Sequence, residues 1–277
     1  MTHRLLSGAA AAALVVAGAI SAPAADLPTR KEAPAPVFVP PPFTWTGFYI
    51  GVNAGAIWKQ GNNNTNLYAP NAPWLYTYWP NNNWGNNNTG FIGGGQAGYN
   101  WQTGAWVFGV ETDFDGSSLS KSGNFIGPTF TNPYTGTTGY LSANGKISLD
   151  WLGSTRGRVG FVATPDNRLM FYGTGGVAYG GGSAHLNFYD SSSGVYFNSG
   201  NNDQSRTGWV LGAGVEYAIT NNIILGAEYL YFDLGSKTFY AYPGVIANIP
   251  TPYSTVWASE KVNFDGSVVR ARVSYKF

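Results

Sequence analysis

The chain has 277 residues, of which 44% are hydrophobic, 16% aromatic and only 10% charged, with a formal net charge of +1. An average soluble domain carries roughly 25% charged residues, so this composition argues against a conventional soluble enzyme, and the small net charge argues against nucleic acid as a partner. The absence of Cys excludes a disulfide framework, a thiol nucleophile and a thiolate metal site, and the two His leave little for imidazole catalysis or metal ligation. The 38 Gly and the many aromatic residues favour strands and turns, which indicates an all-β fold.

The first 24 residues have the pattern of a secretory signal peptide. A short basic start that includes Arg4 precedes the apolar run Leu5–Ile20, and the small residues Ala22–Ala24 suit a cleavage site. We therefore expect a signal peptide over residues 1–24 and a mature chain that starts at Ala25. An uncleaved N-terminal anchor, which needs roughly 20 apolar residues, is the alternative.

Residues 25–46 are rich in Pro, which lacks a backbone N–H donor, and we predict an extended periplasmic lead there. From residue 47 to residue 277, apolar or small residues alternate with polar ones in eight segments, which is the pattern of β-strands in a barrel domain. The predicted strands are Phe48–Trp58, Phe91–Trp101, Trp106–Phe114, Ile147–Phe161, Leu169–Tyr179, Thr207–Ile219, Ile223–Leu234 and Val268–Phe277.

The connections between these strands alternate in length. The short ones have turn-forming residues and are Gln102–Ala105, Ala163–Arg168 and Thr220–Asn222. The long ones are Lys59–Gly90, Asp115–Lys146, Gly180–Arg206 and Gly235–Ser267. Tight periplasmic turns and long external loops are typical of transmembrane barrels, whereas long coil loops are uncommon in compact soluble domains.

Charged residues within a strand fall on one face. Residues an even number of positions apart, which we describe as having the same parity, point to the same face of a strand. Glu111 has the same parity as Asp113, and Asp150 has the same parity as Arg156 and Arg158. In the last strand, positions 270, 272 and 276 repeat the pattern. In a soluble barrel this face would lie outside, but in a membrane barrel it lies inside, because an Arg that faces lipid at the midplane costs about 2–4 kcal/mol. The signal peptide, the alternating loop lengths and the aromatic residues near strand ends favour the membrane barrel. A secreted, lectin-like sandwich is the alternative.

This orientation predicts a charge network inside the barrel. Its expected members are Glu111, Asp113, Asp150, Arg156, Arg158, Glu216, Glu228, Arg270, Arg272 and Lys276. We expect Glu111 to pair with Arg156 or Arg158, and Glu228 to pair with Arg270 or Arg272. An eight-stranded lumen is only wide enough for side chains, and buried charges must be paired, so we interpret the network as a structural plug. A narrow ion pathway is the alternative.

No catalytic, cofactor-binding or metal-binding constellation stands out in the sequence, and we expect a protein without enzymatic activity. His185, with Ser183 and Asp190 near it in the chain, is the single candidate for a barrel hydrolase. A plain strand end rich in Gly and Ser is the simpler interpretation.

The first long connection combines many Asn with aromatic residues. We name Trp74, Tyr76, Trp79 and Trp84 as candidate contacts for a glycan or a host surface. A hydrophilic loop without a specific partner is the alternative.

Several segments of the chain resemble the RopB-type, porin-family outer-membrane proteins of α-proteobacteria. They are Ala25–Pro28, Trp45–Gly55 (WTGFYIGVNAG), Gly98–Gln102, Val107–Glu111, Gly214–Tyr217, Ala227–Tyr231 and Val269–Phe277 (VRARVSYKF). The resemblance implies an OmpA-like, eight-stranded, antiparallel up-and-down barrel with long extracellular loops. It also implies that Phe277, with Tyr275 and Val273 on the same face, is the signal read by the barrel-assembly machinery.

We therefore expect a non-enzymatic outer-membrane protein with a role in envelope integrity and at the cell surface. The expected partners are outer-membrane lipids, lipopolysaccharide and the assembly machinery. The alternatives are a narrow passive porin and a surface adhesin that acts through residues 59–90; the oligomeric state stays open.

Overall fold

The computed structural model describes residues 42–60, 64–70, 89–133, 136–198, 202–243 and 257–277. These residues form ten β-strands, namely β1 Gly47–Lys59, β2 Asn64–Tyr68, β3 Thr89–Thr103, β4 Trp106–Thr131, β5 Thr138–Val162, β6 Leu169–Asp190, β7 Val195–Asn198, β8 Asn202–Ala218, β9 Ile223–Pro243 and β10 Trp257–Lys276. Within the described ranges, no helix has the length and hydrophobicity needed to span a membrane.

Eight of these strands close into a ring. Strand β1 pairs with β3 on one side and with β10 on the other, and the ring continues through β4, β5, β6, β8 and β9 back to β10, with every pairing antiparallel. The short strand β2 pairs with the first residues of β10, and β7 pairs with the last residues of β6 and β9. Closure leaves no unpaired edge within the ring, which a sheet surrounded by lipid requires. The predicted all-β, up-and-down barrel is confirmed.

Three short turns connect strands at one end of the barrel, as the sequence predicts. The turn between β3 and β4 has two residues, and its first, Gly104, has a φ of 61°. The turn between β5 and β6 covers 163–168 and contains Asn167, the one described residue other than Gly with a positive φ, at 59°. Gly and Asn are the residues that adopt this left-handed conformation most readily. The third turn covers 219–222.

At the opposite end, the strands extend far beyond their predicted bounds. Strand β4 continues to Thr131 and β5 already begins at Thr138, so the predicted loop Asp115–Lys146 is mostly a β-hairpin. Strands β6 and β9 likewise continue to Asp190 and Pro243. The prediction was wrong here because small and polar residues occupy most positions of this hairpin. Its few buried apolar residues, which include Phe130, Leu141 and Ala143, do not give the apolar alternation by which a half-buried strand is recognised.

The outer wall of the ring carries alternating apolar side chains. On β4, for example, Phe108, Val110 and Phe114 are each about half exposed, whereas the alternate residues Gly109, Glu111 and Asp113 are buried. Aromatic residues form one girdle near the short turns, where the rings of Trp106 and Phe161 lie 5.5 Å apart. A second girdle lies near the long hairpins. Its aromatic rings contact each other in three pairs, Phe114 with Trp151, Trp209 with Tyr231, and Trp58 with Tyr229.

The girdles are eight to ten positions apart along a strand, as from Trp106 to Phe114 or from Trp151 to Phe161. At about 3.3 Å per residue and a tilt of about 40°, this separation is about 20–25 Å. It matches the height of the apolar band of transmembrane barrels. The short turns therefore mark the periplasmic end and the long hairpins the external end.

The lumen contains three layers rather than a uniformly polar interior. The periplasmic layer is apolar, and its members are Phe43, Trp45, Val107, Val162, Met170, Tyr172, Ala218 and Ile224. The outer layer is also apolar and includes Ile57, Leu149, Leu230, Phe232 and Val268. Charged side chains occupy the space between the two layers. The core of this protein is therefore inside the barrel, and it is apolar above and below a charged centre.

Candidate functional site

Nine charged side chains meet in the centre of the lumen, and we call this set the charge belt. Its members are Glu111, Asp113 and Asp115 on β4, Arg156 and Arg158 on β5, Glu216 on β8, Glu228 on β9, and Arg270 and Arg272 on β10. Each has a relative exposure of 5% or less. They reach the same space because alternate residues of a strand point to one face.

Arg156 joins two opposite walls of the barrel. Its Nη2 lies 2.6 Å from Glu111 Oε1 and 2.8 Å from Asp113 Oδ2, both on the neighbouring strand β4. Its Nη1 lies 2.9 Å from Oε1 of Glu228, which is on β9 across the lumen. One guanidinium therefore bridges strands that have no backbone pairing with each other.

Arg270 makes the reciprocal bridge from β10. Its Nε donates to Glu228 Oε2 at 2.9 Å, which is its register partner on β9. Its Nη1 and Nη2 reach across to β4, where they lie 2.6 Å from Asp115 Oδ2 and 2.8 Å from Asp113 Oδ2. Asp113 thus accepts from arginines of two opposite strands.

The other two arginines lie on the periplasmic side of these bridges. Arg272 forms ion pairs with Glu111, with Glu228 at 3.1 Å and with Glu216 at 3.6 Å. Arg158 pairs with Glu216 at 2.8 Å, and its guanidinium carbon lies 4.0 Å from the ring centroid of Tyr172.

A glycine makes room for a tyrosine in this arrangement. Tyr49, Gly98 and Glu111 are register partners on β1, β3 and β4. The Tyr49 hydroxyl crosses Gly98 to donate to Glu111 Oε2 at 2.6 Å, and it accepts from Arg158 Nη1 at 2.9 Å. A Cβ at position 98 would lie 2.4 Å from this hydroxyl, so no other residue fits there without displacement.

Ion pairs cross-link the belt, which carries a surplus of one carboxylate. Four arginines face five carboxylates, which gives a formal charge of −1 when all nine are ionised. Every arginine contacts at least two carboxylates. Removal of one partner from a buried pair costs about 3–5 kcal/mol, because the other charge is left uncompensated. The geometry therefore predicts a rigid, mutually dependent cluster.

The segment before β1 closes the periplasmic mouth below the belt. Trp45 is fully buried, and its Nε1 donates to the backbone oxygen of Asn167 at 2.8 Å. Its backbone N–H donates to Gln102 Oε1 at 2.8 Å. The ring of Phe43 packs edge-on against Trp45 at 5.1 Å, and the Arg168 guanidinium lies 5.6 Å from that ring.

Eight of the ten predicted network residues meet in the belt, and both predicted pairs occur in it. Asp150 is a correction, because it is exposed. The register of β5 against β6 shifts between Ile147 and Trp151, so that Leu149 and Leu152 both face the lumen and Asp150 faces outwards. A bulge inverts parity in this way, and strict alternation does not reveal it.

Lys276 is the second correction, because it is half-buried at the periplasmic mouth and lies outside the belt. Its Nζ is 5.6 Å from the ring of Phe43. Asp115 is the acidic residue that the sequence analysis missed. It has the parity of Glu111 and Asp113, but the strand was predicted to end before it. Extending the alternation by one residue would have found it.

The other candidate residues occupy different places. Val273, Tyr275 and Phe277 are exposed on the outer wall, at 47%, 48% and 63%. The candidate loop contacts Trp74, Tyr76, Trp79 and Trp84 lie outside the described residues.

The three residues of the hydrolase candidate do not form one site. Asp190 is buried and accepts from the backbone N–H of Ser192 at 2.8 Å. It is five positions from His185 on β6, about 17 Å along an extended strand, and its odd separation puts it on the other face. Ser183 instead shares a hydroxyl hydrogen bond of 3.0 Å with Ser148.

The sequence of this closed barrel, with its apolar outer band and ionic centre, is similar to those of known outer-membrane proteins. A family model described as an outer membrane protein beta-barrel domain matches residues 10–277. The chain belongs to this family. A 31 kDa outer-membrane immunogenic protein of Brucella melitensis is 37% identical over 261 residues, which cover 94% of this chain and 95% of that protein. A 22 kDa outer membrane protein of Rhizobium leguminosarum is 32% identical and covers 76% of this chain and 72% of its own length.

Among solved structures, OprG from Pseudomonas aeruginosa is similar at 15% identity and a TM-score of 0.45, with coverage of 84% of this chain and 96% of that one. The family and the two relatives confirm the predicted outer-membrane location and the resemblance to outer-membrane barrels. The narrower RopB-type assignment stays a prediction. The protein is an outer-membrane β-barrel of the cell envelope, and lipid surrounds its outer wall.

Proposed function

We propose that this protein is a non-enzymatic barrel with a closed lumen, which contributes to envelope integrity and carries external hairpins and loops at the cell surface. The observation that carries the proposal is the charge belt. Its ion pairs join β4 and β5 to β9 and β10 across the lumen, so side chains occupy the path that a permeating ion would follow.

The layers on either side support a closed state. Phe232 and Val268 above the belt, and Trp45 and Met170 below it, are each buried to 1% exposure or less. A hydrated ion would have to cross both apolar layers, where it loses hydration without compensation, and then separate buried ion pairs. A passive pore would require that neither the apolar layers nor the buried ion pairs of the belt block the lumen.

Recording from planar bilayers tests this proposal. We expect the purified wild-type barrel to show at most small, rare conductance steps. Arg270→Ala and Arg272→Ala should each either destabilise the barrel, seen as loss of the folded band in unheated gel samples, or open a conductance. An opened lumen should prefer cations, because each substitution changes the formal charge of the belt from −1 to −2. Large, steady steps in the wild type would contradict the proposal, as would two variants without either effect.

Asp190 lies five positions from His185 and on the other face of β6, which argues against a Ser–His–Asp triad. His185→Ala tests for hydrolase activity, and this substitution should leave the folded fraction of the protein unchanged. A hydrolytic activity that is present in the wild type and lost in this variant would contradict a non-enzymatic role.

The external loops support the surface role. The relatives from Brucella are named immunogenic proteins, which agrees with exposure of such loops to a host. Contacts with a glycan or a host surface through the first loop are a prediction that concerns residues outside the described part. Deletion of residues 62–88 should abolish any such binding and leave the barrel folded, and retained binding would remove that role from the loop.

The end of β10 supports a signal for the barrel-assembly machinery. Val273, Tyr275 and Phe277 form an exposed apolar stripe, and the backbone N–H of Phe277 donates to Phe48 O at 3.0 Å. Phe277→Ala should lower the amount of protein in the outer membrane severalfold. Its refolding into detergent should stay close to the wild type, since an exposed side chain contributes little to stability. Equal loss in both measurements would assign Phe277 a structural role instead.

A further inference from the structure

Beyond the girdle near the long hairpins, strands β4, β5, β6 and β7 continue as an external sheet. The inner face of this sheet is apolar, and Ala143 and Phe188 on it are exposed by 3% or less. Side chains alternate between the two faces of a strand, so Asn144 and Lys146 lie on the outer face, where both are exposed. This outer face continues the lipid-facing wall of the barrel beyond the aromatic girdle.

Four asparagines lie side by side across this outer face, and we call them the asparagine row. They are register partners on neighbouring strands, namely Asn124 on β4, Asn144 on β5, Asn187 on β6 and Asn198 on β7. Asn187 Nδ2 donates to Asn144 Oδ1 at 3.0 Å. The amide group of Asn124 and the Nδ2 group of Asn144 make no hydrogen bond with the residues that the structure describes. The row therefore presents exposed amide donors and acceptors that are available to a ligand.

Aromatic rings and a cation flank the asparagine row on its two sides. Two positions further from the membrane, the register partners Tyr189 and Tyr196 have ring centroids 6.4 Å apart and are 37% and 39% exposed. On the membrane side, Lys146 is the register partner of His185. None of the salt bridges among the described residues includes Lys146. The outer face thus offers, from the membrane outwards, a cation, a row of amides and a pair of aromatic rings.

The asparagine row lies too far from the membrane for the headgroup of a phospholipid. Asn144 is seven positions beyond Trp151 of the girdle, which is about 18 Å at about 3.3 Å per residue and a tilt of about 40°. The headgroup region of a bilayer extends only about 5–8 Å beyond the hydrocarbon core. A membrane lipid therefore reaches the row only if its headgroup contains several sugar units.

We propose that this outer face binds the oligosaccharide of an anionic glycolipid that is anchored in the surrounding outer leaflet. Sugar hydroxyls donate to and accept from the asparagine amides, the C–H faces of the sugars pack against Tyr189 and Tyr196, and an anionic group lies near Lys146. The anchored source follows from continuity, because a lipid that contacts the outer wall holds its headgroup beside the row. This inference goes beyond the proposed envelope role. It does not depend on a closed lumen, since the face is outside the barrel.

A glycolipid titration of the full barrel in phosphatidylcholine nanodiscs tests the site. The probe is lipopolysaccharide truncated to lipid A and its inner-core sugars, and a second series contains lipid A alone. We expect the side-chain amide NMR signals of Asn144 and Asn187 to shift saturably with the first probe, and about tenfold more weakly with lipid A. Asn66, an exposed asparagine on β2, reports non-specific contact. Equal shifts at Asn66, or equal responses to the two probes, would overturn the proposal.

Substitutions on the outer face give the second arm, with the Asn187 signal as the readout. The double variant Asn124→Ala and Asn144→Ala should weaken the truncated lipopolysaccharide about tenfold, because two hydrogen bonds are lost. Lys146→Gln should weaken it about fivefold. The matched controls are Asn66→Ala and Lys261→Gln, which change exposed residues on β2 and β10 and should behave as the wild type. Unchanged binding in the double variant, or equal losses in the controls, would contradict the site.

Two other occupants of the face are distinguished in the same nanodiscs. The water-soluble oligosaccharide released from the truncated lipopolysaccharide should bind at least about a hundredfold more weakly, because a shared bilayer raises the effective concentration of an anchored sugar. Saturation by micromolar free oligosaccharide would contradict the anchored source. Shifts in the row that appear when the number of barrels in each nanodisc is raised, without glycolipid, would assign the face to a second copy of the chain and overturn the proposal.

Discussion

The charge belt and the external part of the β4–β5 hairpin are built from the same two strands, but different forces hold them. In the belt, Glu111 and Asp113 meet Arg156 in the buried centre of the lumen, and each charge depends on its partners. In the hairpin, the register partners Asn124 and Asn144 are both exposed, and the side chains that are buried include the apolar Phe130, Leu141 and Ala143. The same extended backbone is therefore held by buried ion pairs in one region, and by apolar contacts and backbone hydrogen bonds in the other.

The largest expected effect is that of Arg270→Ala. This change removes the partner of Asp113, Asp115 and Glu228 at once and leaves buried carboxylates uncompensated. We expect the free energy of unfolding in lipid vesicles to fall by about 3–5 kcal/mol, measured by urea titration. The hairpin change Asn124→Ala is the control. A loss of similar size in both variants would remove the contrast between the two regions.

A pair of isosteric changes sharpens the comparison at the bulge. Asp113→Asn should destabilise the barrel by about 2–3 kcal/mol, because this carboxylate accepts from Arg156 and Arg270 in the lumen. Asp150→Asn should change stability by less than about 0.5 kcal/mol, because Asp150 is exposed. Equal costs in urea titration would show that Asp150 belongs to the lumen after all.

The smallest effects are expected in the external hairpin. Asn124→Ala and Asn144→Ala should each change stability by about 0.5 kcal/mol or less. Hydrogen exchange should be faster in this hairpin than in the membrane-embedded parts of β4 and β5, since fewer buried contacts hold it. Protection as strong as that next to Glu111 would mean that unrecognised contacts stabilise the hairpin.

The same contrast explains how far the sequence could predict the molecule. Between the girdles, lipid on one face and packed lumen on the other impose strict alternation, so the positions of Glu111, Arg156 and Arg272 follow from parity. The bulge before Trp151 turns Asp150 to the outer face, and no turn-forming residue in the sequence indicates this bulge. In the external parts of β4 and β5, small and polar residues interrupt the apolar alternation, so these parts were taken for loops.

The apolar layers of the lumen were also not foreseen. Ile57 and Val268 point inwards, yet in the sequence they resemble the outward Val52 and Val269. A binary pattern of apolar and polar residues distinguishes the two faces only where one of them is polar. Phe43 and Trp45, which close the periplasmic mouth, lie in the segment that was predicted as an extended lead. Their position could not be predicted, because the hydrogen bonds of Trp45 to Gln102 and Asn167 form only in the closed barrel.

A double-mutant cycle between Arg156 and Glu228 tests the central claim most directly. Their side chains lie 2.9 Å apart on β5 and β9, on opposite walls of the lumen. If ion pairs bridge the lumen, Arg156→Ala and Glu228→Ala should be coupled by about 1.5 kcal/mol or more in the free energy of unfolding. Effects that add to within about 0.5 kcal/mol would show that the two walls are not joined and that the lumen is not closed by its charges.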